Sequence, residues 1–271
     1  MVLYHTFQAK QNEPGYHLII ERDSNHLDLL SMGMLTLTQA MTSISLDSGD
    51  NEVALVIIEG KVNVKIDDYE FKSLGDRASV FEGSATTVYV PIESSYSIET
   101  VSDHAVVAVC CSKAKEKYKP FVVNPDEVTT VLRGKEQWRR DVRDIIVSNG
   151  EGRVDRIIVG ETINYAGEWS GYPPHKHEED RMPKELRFEE VYFYKLDPKD
   201  GFGVQVHYGS KWHEDEGYII RDGDAFAIPD GFHPVVAAGG YRLYYLWFMA
   251  GPSGRSLTPY EDPHHVWVKD L

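Results

Sequence analysis

The residues with the types and spacing to do chemistry cluster late in the chain, in Pro173-Pro174-His175-Lys176-His177, Glu189-Glu190-Val191-Tyr192-Phe193-Tyr194 and Ile228-Pro229-Asp230-Gly231-Phe232-His233. Two histidines at i and i+2 on an extended segment project to one side, because side chains of a strand alternate with a period of two. A carboxylate and a third imidazole from neighbouring strands then complete a His3Glu set with coordination left for water or substrate, the requirement of a catalytic divalent-metal site. Of Glu189 and Glu190 the alternation admits one to the inner face. Glu190 is the choice, because an internal repeat sets it beside Glu52 at the head of an apolar strand. His175, His177, Glu190 and His233 are therefore the expected metal ligands, for an ion that the ligand types leave open among Zn, Mn, Fe and Ni. Glu178, Glu179, Asp180 and Glu185 precede the strand, and Pro183 keeps their segment out of a sheet, so they are expected in solvent.

Other residues are assigned by the same alternation. Tyr192 and Tyr194 share the face of Glu190. Gln205 and His207 point inward together, as candidates for holding hydroxyls or moving a proton, or else form the polar outer face of an antiparallel strand. Arg140, Arg187 and Arg242 are candidates for gripping a carboxylate with a bidentate fork. His213, His264 and His265 are read as surface residues.

The elements that must position these groups are β-strands. From Met34 onward short alternating or apolar runs are punctuated by Gly, Asp and Ser, which indicates a barrel or jelly roll. The polar segment 112–120 marks a boundary, and the β pattern resumes after Asp155. Glu52-Val53 before an apolar run parallels Glu190-Val191, and Tyr89-Val90-Pro91 parallels Ala227-Ile228-Pro229, so one plan is used twice. The expected organisation is all-β, two tandem barrels, 1–120 and 121–271. Of the 11 histidines none lies between His26 and His104, so only the second barrel is expected to bind metal.

Composition bounds the rest. A formal charge of -15 disfavours nucleic acid and anionic membranes as partners. No apolar run reaches membrane-spanning length, and the first residues lack the order of a signal peptide, so a cytoplasmic protein is expected. Cys110 and Cys111, adjacent in an apolar run, are expected to be reduced structural thiols. The strand edges and the aromatic stretch 260–267 leave a homo-oligomer open.

Tyr172-Pro173-Pro174-His175-Lys176-His177, Glu189-Glu190-Val191-Tyr192-Phe193-Tyr194, Gly201-Phe202-Gly203-Val204-Gln205, Gly231-Phe232-His233-Pro234-Val235 and Met249-Ala250-Gly251-Pro252 resemble the 5-deoxy-glucuronate isomerase family of bacterial inositol catabolism. That family is similar to the 4-deoxy-L-threo-5-hexosulose-uronate ketol-isomerases, and both are bicupins, chains of two tandem jelly-roll β-barrels. The resemblance continues through Gly75-Asp76-Arg77-Ala78-Ser79-Val80-Phe81-Glu82 and so spans nearly the whole chain. It implies a metal-assisted aldose–ketose interconversion of 5-deoxy-D-glucuronate and 5-dehydro-2-deoxy-D-gluconate, with His175, His177, Glu190 and His233 as ligands. A substrate-contacting set of Arg140, Tyr172, Arg187, Tyr192 and Tyr245 goes with it, and Gln205 and His207 as catalytic candidates. The related hexosulose-uronate reaction, an Fe(II) dioxygenase on the same ligands, and a non-catalytic sugar-acid-binding cupin are the competing expectations.

Overall fold

In the strand Asn51–Glu59 every residue from Glu52 to Ile58 is buried, so the strand must lie between two layers of structure rather than at a surface. The computed structural model, which describes residues 3–24 and 26–271, shows what those layers are. A six-stranded sheet runs in the order Phe121–Val123, Thr87–Val90, Asn51–Glu59, His104–Lys113, Leu30–Thr38, Gly15–Ile20. A seven-stranded sheet runs Tyr4–Thr6, Asp224–Ile228, Glu189–Asp197, Arg242–Ala250, Ile158–Asn164, Arg140–Ile146, Thr129–Arg133. The two sheets pack back to back, and each carries a four-stranded sheet on its other side. These close the first barrel with Ser43–Asp47, Ser95–Thr100, Val62–Ile66 and Tyr69–Leu74, and the second with Trp169–Ser170, Val235–Ala237, Gly203–His207 and Glu216–Ile220. The protein is thus all-β and built from two jelly rolls.

Three cores follow from the alternation. Val53, Leu55 and Ile57 point into the first barrel with Leu35, Val64 and Ile98. Tyr192, Tyr194 and Leu196 point into the second with Ile220 and Val235. The intervening residues, Ala54, Val56 and Ile58 on one sheet and Val191, Phe193, Leu246 and Phe248 on the other, form the core between the barrels. Cys110 lies in that core, Cys111 is partly buried, and both thiols are free; burial raises both, Cys111 to about 11.

The halves are laced together. Tyr4–Thr6 pairs with Asp224–Ile228 in the second barrel's sheet, and Phe121–Val123 pairs with Thr87–Val90 in the first. Sheet membership therefore crosses the expected division at 120/121 in both directions.

The carboxylate of Glu52 accepts the backbone N–H groups of Asp155, Arg156 and Ile157 at 2.8, 2.6 and 2.7 Å. Glu189 does the same for Asp28, Leu29 and Leu30 at 2.9, 2.9 and 3.3 Å. Each barrel thus binds the chain as it enters the other. This corrects the repeat: Glu52 corresponds to Glu189, and Val53 to Glu190, as the pairings Val53↔Val90 and Glu190↔Ile228 also show. Because the sheet is covered on both faces, Glu189 and Glu190 are both buried, one toward each layer.

Candidate functional site

His175–Lys176 is a two-residue strand paired with Tyr260–Glu261, and His177 follows where the chain turns in toward the barrel. The His177 Nδ1–H donates to the Phe188 carbonyl at 2.8 Å, which orients the ring so that Nε2 faces Glu190 Oε2, 3.0 Å away. His233 is held in the same way. Its Nδ1–H donates to the Gly231 carbonyl at 2.8 Å, and its Nε2 lies 3.3 Å from the same Glu190 oxygen, buried and without a hydrogen-bond partner. Gly231 makes the turn that aims this ring. Its φ is +78°, and a Cβ there would stand 2.8 Å from His207 Nε2, so a side chain is excluded on both counts.

The ligand atoms of His177, Glu190 and His233 lie within 4.8 Å of one another. His175 stands beside them, its ring centroid 4.9 Å from that of His233, partly buried and outside the tight trio. Burial opposes the charge of Glu190, but His177 and His233 beside it outweigh burial and bring its pKa to about 2. Burial, and then the neighbouring His233 and His177, lower His175 to about 3, so its ring is a neutral nitrogen donor. Two imidazoles whose Nε2 atoms converge with a buried carboxylate oxygen have the donor types a divalent cation requires, and the carbonyls behind them are the outer partners that orient such ligands.

The cluster opens on a cavity of about 290 Å³, a size for a small ligand. His175, His177 and Glu190 line one end, Tyr192, Tyr245 and Trp247 the sheet floor. Tyr245 Oη hydrogen-bonds Ser170 Oγ, and burial raises the pKa of both tyrosines, which keeps them protonated. Arg140 lines the wall. Its Nη1 reaches the carbonyls of Trp138 and Tyr172 at 3.1 and 3.2 Å, and no carboxylate lies within 4 Å of its guanidinium among the described residues.

Other expected residues sit elsewhere. Tyr172 contributes its carbonyl to Arg140 while its ring tilts against Trp138 and Trp169, 6.2 and 5.8 Å away, outside the cavity lining. Arg187 is half exposed, 3.7 Å from Asp28, and outside the cavity lining. Arg242 is paired with Asp197.

Gln205 and His207 point inward but are occupied as scaffold. Gln205 accepts from Tyr194 Oη at 2.8 Å and donates to the His233 carbonyl at 2.9 Å. His207 donates to the Asp230 carbonyl at 2.8 Å and packs on Phe226. Neither lines the cavity, and Gln205 braces the His233 segment.

Glu178 and Glu185 are buried rather than solvated. Glu185 accepts the N–H groups of Glu178 and Glu179, and Glu178 accepts that of Gly231. This ties the His177 and His233 segments together. His213 is half-buried against His26 and His207, not a surface residue.

Contributors outside the expected set include Arg133 and Asp144, Trp247, and the segment from Leu257 to Pro259. Arg140, Val142 and Asp144 all face the cavity because they alternate along one strand. That alternation was the available signal, in a stretch whose polarity suggests a connector.

Two jelly rolls in one chain, one with a buried His/Glu cluster at the head of a cavity, define a bicupin. The chain belongs to the KduI/IolB family, whose model matches residues 3–268. It is 34% identical over 260 residues to a 5-deoxy-glucuronate isomerase of Geobacillus kaustophilus, covering 96% of this chain and 92% of that one. The corresponding Bacillus subtilis protein, also named 5-deoxy-glucuronate isomerase, is 32% identical over 263 residues, 96% of each chain. The crystal structure of an IolB-like protein from Salmonella typhimurium LT2 superposes with a TM-score of 0.90 at 29% identity, over 99% of this chain and 100% of that one. Lactobacillus farciminis oxalate decarboxylase, at a TM-score of 0.65 and 12% identity over 96% and 88% of the two chains, shares the fold alone.

Proposed function

We propose that this protein is an intramolecular isomerase that interconverts 5-deoxy-D-glucuronate and 5-dehydro-2-deoxy-D-gluconate in inositol catabolism, with one divalent metal ion held by His177, Glu190 and His233 and completed by His175. The observation that carries the reading is the pair of Nε2 atoms converging on Glu190 at one end of a cavity whose wall offers Arg140 without a carboxylate partner. The relatives' names supply the substrate. When bound, a divalent ion polarises a carbonyl and its neighbouring hydroxyl together.

The reaction moves a hydrogen from C2 to C1 and a hydroxyl proton from O2 to O1, so the protein must hold both oxygens still while charge shifts between them. Tyr192 and Tyr245, protonated on the cavity floor, donate hydrogen bonds to substrate oxygens. Arg140 receives the carboxylate at the other end, which places C1 and C2 against the histidines. The closed wall of aromatic residues limits water around the reacting carbons. The acidic surface, the two free cysteines and the small substrate fit the cytoplasm.

The test is direct. Protein reconstituted with a divalent ion is incubated with 5-deoxy-D-glucuronate in deuterated water and followed by NMR. Loss of the aldehyde signal with a matching ketone is expected, and deuterium at C1 reports exchange with solvent. Oxygen consumption without ketone would move the chain to the dioxygenase class, and no turnover by metal-loaded protein would sink the isomerase.

A further inference from the structure

Arg133 and Arg140 are register partners across the antiparallel pair Thr129–Arg133 and Arg140–Ile146, and both line the cavity. Like charges placed directly opposite on a sheet repel, so the arrangement calls for a compensating anion. The protein does not supply one in full. Arg140 engages only its Nη1, on two backbone carbonyls, and Arg133, with no ion pair within 4 Å among the described residues, is felt by Asp144 on the same wall. Asp144, two alternations along from Arg140, is the single carboxylate on that wall. Two guanidiniums against one carboxylate leave that wall with a net positive charge. The whole chain is strongly acidic, at -15, so its overall field repels anions and this pole must draw them in locally.

We infer that Arg133, on the edge strand, is the specificity-determining residue of the site: with Arg140 it forms a two-guanidinium pole that selects substrates carrying one carboxylate at the end remote from the carbonyl. The inference rests on the proposed isomerisation and adds the substrate class of the same cavity. Asp144 is the counter-charge that tunes the pole to a monoanion. It sets the pole against a sugar phosphate, whose second negative charge would meet Asp144 unpaired. Arg133 is exposed at the cavity mouth and Arg140 lies deeper and more buried, so the carboxylate meets Arg133 first and is shared between the two forks when seated.

The experiment compares native protein with Arg133→Ala and Arg133→Lys on 5-deoxy-D-glucuronate and on the uncharged aldose in which CH2OH replaces the carboxylate. One charge-assisted contact corresponds to about a tenfold change. Arg133→Ala should therefore raise KM for the acid about tenfold, leave kcat within about threefold, and reduce the preference for acid over uncharged aldose by about the same tenfold factor. Arg133→Lys should restore part of that preference. Equal losses on both substrates would show a merely structural role and overturn the inference, as would an unchanged preference.

Should native protein turn over neither substrate, the isomerase reading fails and the pole is tested by itself, by calorimetric binding of D-glucuronate and of inorganic phosphate. Weakening of D-glucuronate binding by about tenfold in Arg133→Ala sustains the inference. Unaltered D-glucuronate binding, or phosphate bound more tightly than D-glucuronate by native protein, overturns it.

Discussion

At the scale of single residues, Glu190 is where the chain concentrates its unfavourable chemistry. It is a buried carboxylate, offset by two imidazoles whose other nitrogens are fixed on the carbonyls of Phe188 and Gly231. Replacing it by glutamine keeps the shape and removes the charge, so Glu190→Gln should lose bound metal, measured by elemental analysis, and at least about a hundredfold in turnover, while its far-ultraviolet circular dichroism stays native. Full activity in a metal-free Glu190→Gln protein would remove the metal from the reaction. Gln205 provides a graded counterpart. It touches no part of the cavity, but it joins Tyr194 Oη to the His233 carbonyl, so Gln205→Ala should weaken metal affinity by about tenfold without abolishing turnover. A loss as deep as that of Glu190→Gln would mean that Gln205 contacts substrate after all.

At the scale of elements, two buried devices join a strand of one half to the chain of the other. In one, Glu161 on Ile158–Asn164 receives Arg77 Nη1 at 2.9 Å, Arg143 Nη1 at 3.2 Å and Tyr244 Oη at 2.9 Å, with no exposure of its own. A buried ion network adds little net stability over an apolar one, but removing one member leaves uncompensated charge behind. Glu161→Ala should cost about 3–5 kcal/mol in denaturant unfolding, whereas Arg242→Ala, which breaks a half-exposed pair with Asp197, should cost less than about 1 kcal/mol. Comparable costs would show that the Glu161 network is relaxed by water.

The other device, Glu52 and Glu189, explains what could and could not be read from sequence. The two apolar strands and their repeated plan were legible, and so was the convergence of His177 and His233 on a glutamate beside an apolar run, but the choice of Glu190 over Glu189 rested on a register of the repeat that the structure corrects. That register was not legible. It depends on which glutamate faces the other barrel, and a strand covered on both sides shows no polar face to break the tie. Arg133 and Asp144 were hidden for a related reason: Thr129–Arg133 is exposed along its whole length, so it lacks the apolar signature by which buried strands announce themselves.

At the scale of the whole molecule, the question is whether the two barrels are separable. The tandem plan suggests two domains, yet the core between the sheets is continuous, with Ala54, Val56 and Ile58 from one half against Val191, Phe193 and Phe248 from the other. A fragment of residues 121–271 would expose that apolar face, lose the strand Tyr4–Thr6 from its sheet edge, and leave Glu189 buried without the N–H groups of Asp28, Leu29 and Leu30. A fragment of 1–120 fails for the mirror reasons, through Glu52 and the lost strand Phe121–Val123. Each alone should aggregate or show no cooperative melt, whereas the two expressed together should assemble into a soluble complex. The intact chain should then unfold in one transition, because neither half has a stable state without the other. Chelation of the metal should lower the midpoint of that transition without splitting it, since the His177, Glu190 and His233 ligands act within a unit that melts only as a whole. A dispersed 121–271 fragment with its own sharp transition, or a two-step melt of the full chain, would instead establish the catalytic barrel as an independent domain and reduce the first barrel to a detachable cover.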